Sequence, residues 1–397
     1  MKKIRNAFCS KKLLNGRFWL GTIGLLFCII VISTSNFEDL GLAPHFLVQR
    51  ARVLSVETGQ LVPDHYVANL YLGGQLIEIE ILTGEHAGRR FYIENFLRRF
   101  FNLPVRENTE ILVSVTPGIE YLEEHHVTVF GPSRGLFLHV FVGLFILALV
   151  AVGRMKGFYA AVSLVFTCIT VLFFMISFIV QGYNPVVFAL ITAILTSAFS
   201  IFMIADISLK SIAAIGGTWA GLIAAGLISL GAGRLAHVSG MHLPYAEQII
   251  FHSPPNTFIQ IPQLFFAGII IAALGAVMDV SMSIASVVFE IKSESPKIQA
   301  KNLYKSGMRI GGDIMGTMSN TLILAFVGSS ISTIVLIVLF GFPYLRVINL
   351  DLVAIEIIQG ISASIGLILA LPVTSFFSAV LATDNKISKF LKIFIDK

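Results

Sequence analysis

The chain has 397 residues, of which 56% are hydrophobic and 13% charged, with a formal net charge of +5 and a mean hydropathy of +0.85. A composition this apolar, broken into repeated runs of about 20 residues, excludes an ordinary soluble globule and describes an α-helical polytopic membrane protein. The basic residues sit in short segments between apolar runs, which argues against nucleic acid as a partner and for topology signals and lipid headgroup contacts.

A basic tail at 1–17 leads into a first span at 18–35. A polar segment follows at 36–135, then seven apolar runs that form a bundle over 136–382, and a tail at 383–397. The seven runs are 136–153, 158–180, 185–204, 211–231, 263–288, 314–340 and 361–382, so the sequence predicts eight transmembrane helices. With the N-terminus inside, the inner segments hold 18 Lys and Arg, whereas the short outer loops hold only Arg234 and Arg346. Both termini are therefore expected in the cytoplasm. Ser33 and Ser35 also fit a cleavable signal peptide, an alternative the sequence leaves open. Either way 36–135 lies outside, and Phe27 before Cys28 speaks against lipidation.

The outer segment carries 13 acids and eight Arg. Ile77, Ile79 and Ile81 alternate with Glu78 and Glu80, the pattern of a half-buried strand. Further strands are predicted at 52–56, 66–72, 90–93, 111–115 and 127–130, with a turn at TGEHAG, 83–88. This spacing predicts a small all-β barrel or sandwich. The histidines His45, His65, His86, His125 and His126 match no metal-ligand spacing, and Cys9, Cys28 and Cys168 all lie outside the segment. The cluster Phe96, Arg98, Arg99, Phe100 and Phe101 reads as a short amphipathic helix, on the membrane surface or packed on the β domain.

No Walker, GxSxG, HExxH or CxxC motif is present, so no enzyme, cofactor or metal centre is expected. The outer loop at 237–255 brings His237, His242, Glu247 and His252 near one another, but the five-residue step between the first two is not a standard metal pair; Pro254 and Pro255 stop any helix there. Asp206 and Lys210 are spaced for an interfacial ion pair. FEIKSESPKIQAKNLYKSGMR, 289–309, has five basic residues and is expected along the inner leaflet against anionic headgroups.

The costliest residues lie at 262–328. Asp279 stands about 24 Å into the sixth span, with Ser283 and Ser286 on its face. An intramembrane acid is a candidate proton or cation site, and the competing reading is a hydrogen bond to a neighbouring helix. In the seventh span Asp313, Thr317, Asn320 and Leu324 share one face, which a span carrying Asp279 is expected to meet. Gly307, Gly311, Gly312 and Gly316 repeat at four-residue spacing, as helix-packing glycines do.

FFAGIIIAALGAVMDVSMSIAS followed by LYKSGMRIGGDIMGTMSNTLILAFVG closely resembles the YibE/F family of bacterial multispan membrane proteins. That resemblance implies a bacterial cell membrane and brings no established activity. ALGAVMDVSMSIASVVFEIKSESP, then GGDIMGTMSNTLILAFVG, is also similar in order to the glycine-rich Asp span and the following polar span of SecD and the RND exporters. By that likeness Asp279 binds a proton, with Thr317 and Asn320 as its partners. The expected function is a permease or export-type transporter with a proton or cation site. The alternative is a non-transporting scaffold whose β domain binds an envelope protein or glycan. Assembly of several copies stays open, and an intramembrane hydrolase lacks a paired nucleophile or metal set.

Overall fold

A computed structural model describes residues 20–33, 47–59, 61–100, 102–116, 126–241, 245–253 and 257–383. Its contacts divide into two units, one holding the β-sheet and the chain up to Ala148, the other holding the helix Leu20–Ser33 and the chain from Leu149 onward. The expected sites at Cys9, His45, Phe101, His125, His242, Pro254 and Pro255, and both tails, lie outside the described residues.

The sheet has six strands: β1 Leu47–Thr58, β2 Val62–Pro63, β3 Tyr71–Ile81, β4 Arg90–Leu97, β5 Glu110–Thr116 and β6 His126–Pro132. Their order is β2-β3-β1-β5-β6, with β4 also paired to β3, and every pairing is antiparallel. It is one curled half-barrel sheet, so the small barrel or sandwich expected is met only in part. Irregular steps between Val53 and Ser55 and between Leu112 and Val113 increase the local twist. The curl lets one face cover itself: Ala51, Val53, Ile77, Ile79, Ile111 and Val113 are wholly buried. Glu78 points the other way and pairs with Arg90 at 3.6 Å. The TGEHAG turn forms as expected, with Gly84 (φ 85°) and Gly88 (φ 82°) in the left-handed region that only glycine enters freely.

Two expectations in this unit are corrected. Residues 64–70 form a turn, and the strand begins only at Tyr71. The Asp64 carboxylate accepts the N–H groups of Tyr66 (2.7 Å) and Val67 (3.1 Å), a local bond that competes with strand pairing. Phe96 and Leu97 end β4, and residues 98–100 form no helix, because Arg99 is drawn to Asp64 (Nε to Oδ2, 2.8 Å) with its guanidinium 5.0 Å from the Tyr66 ring centre.

The second unit is helical. α1 is Leu20–Ser33, and its Phe27 packs beside Phe166. α2, Gly135–Ile169, which enters this unit at Leu149, is interrupted at Arg154 (φ 50°), and a π-helical turn at Thr170–Met175 joins it to α3, Ile176–Val180. The expected spans 136–153 and 158–180 thus fall in one helical run broken at Arg154. α4 Pro185–Ala205 starts on an Asn184 cap with proline in the first turn, and α5 Leu209–Leu235 starts on a Ser208 cap. After the short α6, Ala246–Phe251, come α7 Ile261–Glu294 and α8 Ala300–Ser329. The basic segment between them is helix end, tight turn and helix start. Ser330 breaks the expected span 314–340 into α8 and α9, Ile331–Phe340. Short α10, Tyr344–Ile348, precedes α11, Asp351–Thr383, which begins ten residues before the expected 361 and contains Pro372. Among the described residues six helices are long and apolar enough to cross a membrane, while α1 and α9 are shorter.

The bundle closes where α5, α7 and α11 meet. A Cβ at Gly217 would collide with the Thr374 side chain, one at Gly221 would lie 2.8 Å from Gly366 O, and one at Gly366 would lie 2.6 Å from Ala225 Cβ. Small residues four apart on both helices therefore set the distance between the backbones. Thr374 Oγ1 donates to Ser281 Oγ of α7 at 3.2 Å, and both residues are fully buried.

Two outcomes are expected. Gly221→Val or Gly366→Val should destabilise the bundle by about 1–3 kcal/mol or more, read as a lower thermal midpoint in detergent. Gly312→Ala and Gly316→Ala, where nothing lies within 4 Å of the added carbon, should leave the midpoint unchanged. In the sheet, Arg99 first and the Tyr66 N–H next hold the Asp64 carboxyl below its ordinary range. A carboxylate stabilised in the fold contributes at pH above its unfolded value and loses that contribution as pH falls through the lower folded value. Relative to the intrinsic rate at each pH, protection of the Tyr66 and Val67 amides from hydrogen exchange should accordingly persist through the neutral range and fall only in strong acid, whereas Asp64→Asn should lower it throughout.

Candidate functional site

Helical periodicity gives α7 two unlike faces. Phe266, Ile270, Ala273, Val277, Ile284 and Val288 are buried and pack into the core. Half a turn away, Gly268, Ala272, Gly275, Asp279 and Ser283 are exposed at the surface of the helical unit, with Ser286 half-buried. Asp279 is the nineteenth of the 34 residues of α7, about 27 Å from its start. A bilayer of about 30 Å centred on this helix therefore places the carboxylate deep among lipid tails. Among the described residues the side chain makes no hydrogen bond and no ion pair.

α8 is fixed in rotation by two of the expected packing glycines. A Cβ on Gly307 would lie 2.9 Å from Val288 and 3.0 Å from Ser375 Oγ, and one on Gly311 would lie 3.0 Å from Leu371 and 3.1 Å from Ile284. These contacts wedge α8 against both α7 and α11. Gly312 and Gly316 face open space. With Gly307 and Gly311 turned inward, Asp313 and Asn320 fall about half a turn away, and together with Thr317 they are exposed. Thr317 donates its hydroxyl to Ile314 O, and Asp313, Asn320 and Ser283 have no side-chain partner among the described residues.

The structure therefore does not bring Asp279 and the polar face of α8 together. Each lies on the side of its own helix that faces away from the core. The sequence had suggested that the two faces meet, because both are polar. What decides the matter is Gly307 and Gly311, whose tight contacts claim the interface. Lys301, Lys305 and Arg309 are exposed along the first turns of α8.

The contact of α5 with α11 was missed in the sequence, although its signal is there. Gly217, Gly221 and Ala225 run at four-residue spacing, as do Gly366, Ala370 and Thr374. The serine of α7 that matters structurally is Ser281 on the buried face, while Ser283 lies beside Asp279.

A family model described as YibE/F-like protein matches residues 141–384. No curated protein and no solved structure matches the chain. The match runs through the helices of the second unit and includes both polar faces, so the chain belongs to the YibE/F-like family of membrane proteins.

Proposed function

We propose that this membrane protein is a permease or export-type transporter that binds a proton or cation at Asp279, in a bacterial plasma membrane with both termini in the cytoplasm. The observation behind the reading is a carboxylate without a partner among the described residues, near the middle of a 34-residue apolar helix and flanked on its face by Gly268, Ala272, Gly275 and Ser283. A charge in that position is costly, and a neutral side chain would pack as well. Small neighbours leave room for a proton carrier or a partly hydrated ion to approach. Ser283, one turn along, adds a hydroxyl that can share the load. Asp313, Thr317 and Asn320 supply a second polar track on α8, and Lys301, Lys305 and Arg309 suit anionic headgroups at the inner leaflet.

A direct test uses the purified protein in liposomes with a trapped pH-sensitive dye and an imposed potassium diffusion potential. Proton uptake should exceed that of protein-free liposomes, and Asp279→Asn should bring it down to that background. Unchanged uptake in the variant would remove Asp279 from the mechanism.

One observation favours a second reading, a scaffold that holds an envelope partner. Tyr66, Phe96 and Phe100 are all strongly exposed around the end of β4, beside Arg98 and Arg99. Aromatic residues and arginines of this kind are enriched at protein contacts. Removing residues 47–132 distinguishes the two readings. A transporter keeps its proton uptake, whereas a scaffold shows no uptake before the deletion and loses its cellular phenotype after it.

A further inference from the structure

A cleft of about 310 Å³ lies between α11 and the C-terminal part of α8 with α9. Its wall is almost entirely carbon, from residues such as Phe326, Ile334, Ile357 and Ile361. Two local features open it. The helix break at Ser330 redirects the chain between α8 and α9, and Gly360 leaves α11 without a side chain where it passes Phe326, the nearest atom to a Cβ there lying at 3.7 Å.

Glu356 is the one titratable residue in this wall. It is half-buried, and among the described residues it makes no hydrogen bond or ion pair. The basic residues of α8 are Lys301, Lys305 and Arg309, at least 14 residues before Ile323, where the cleft begins on that helix; α9 has none and neither has α11. Arg346 of α10 is stacked on Phe342, 4.0 Å from its ring centre. A carboxylate at the edge of a carbon-walled space, with no ion pair among the described residues, is an unbalanced charge in an apolar setting.

The ligand that balances it must have two parts, an apolar body to fill the cleft and a positive group to meet the carboxylate. We propose that the α8–α9/α11 cleft is a binding site for a cationic amphiphile, a long-chain amine whose alkyl body lies against Phe326, Ile334 and Ile361 and whose ammonium pairs with Glu356. A neutral chain of the same length fills the space without pairing the charge. An anionic one sets two like charges together, which is unfavourable. The site is separate from Asp279, which lies on α7, and its test does not depend on proton uptake.

The full-length protein in nanodiscs of zwitterionic lipid is photolabelled with three probes of equal chain length, each carrying a mid-chain diazirine: dodecylamine, dodecanol and dodecanoate. Labelled residues are then located by mass spectrometry. The amine should label α9 and α11 residues of the cleft wall about tenfold or more above dodecanoate, the ratio a charge-assisted bond provides. Glu356→Gln, which keeps the shape of the side chain, should lower amine labelling to the level of dodecanol. Gly360→Phe, which fills the cleft, should abolish labelling there by all three. Equal labelling by amine and carboxylate in the wild-type protein, amine labelling unchanged in Glu356→Gln, or no label in the cleft would each overturn the proposal.

Discussion

The helical unit depends on the distance between α5 and α11. Gly217, Gly221 and Ala225 meet Gly366, Ala370 and Thr374 so closely that none of the three glycines has room for a Cβ. In a bilayer there is no hydrophobic force to push helices together, since lipid tails are as apolar as leucine. Close packing and buried hydrogen bonds carry the association instead. The contact supplies both, because Thr374 reaches past Gly217 and bonds to Ser281. That hydroxyl pair ties α7 to the other two helices, and α7 in turn presents Asp279 on its far side.

Holding one face of α7 so firmly fixes what the opposite face can be. Once Val277, Ser281 and Ile284 are turned inward, Asp279 and Ser283 have to point out. The same logic governs α8, where Gly307 and Gly311 lie against α7 and α11 and so direct Asp313 and Asn320 away. The polar groups are thus a consequence of how the small residues pack. The cleft beside Glu356 arises differently, from a helix break and a missing side chain.

Much of this architecture was readable from the chain because strong local patterns produce it. Alternation at Ile77, Ile79 and Ile81 identified the buried face of β3, and the long apolar runs located most of the helices. The misreadings came where a specific side-chain bond or a tertiary contact outweighed the local pattern. Tyr66 to Leu70 has strand-like composition, yet Asp64 holds its first residues in a turn. Phe96 to Phe100 looks amphipathic, yet Arg99 is committed to Asp64. The orientation of α8 could not be read from polarity, because Gly307, Gly311, Gly312 and Gly316 look alike in sequence and only two of them touch a neighbour. Glu356 passed unnoticed because a single acid near a helix start is ordinary, and only the cleft beside it makes it unusual.

Pro372 gives α11 an uneven stiffness. Proline has no N–H to offer the carbonyl four residues earlier, at Ile368, so the backbone ladder has a missing rung in the middle of this helix. Such a joint can bend without giving up another backbone bond. Here it is bridged from outside, since α5 grips α11 at Gly366 on one side of the joint and at Thr374 on the other. α5 therefore acts as a splint across Pro372. Bending of α11 at Pro372 would have to loosen the contacts of Gly366 and Thr374 with α5.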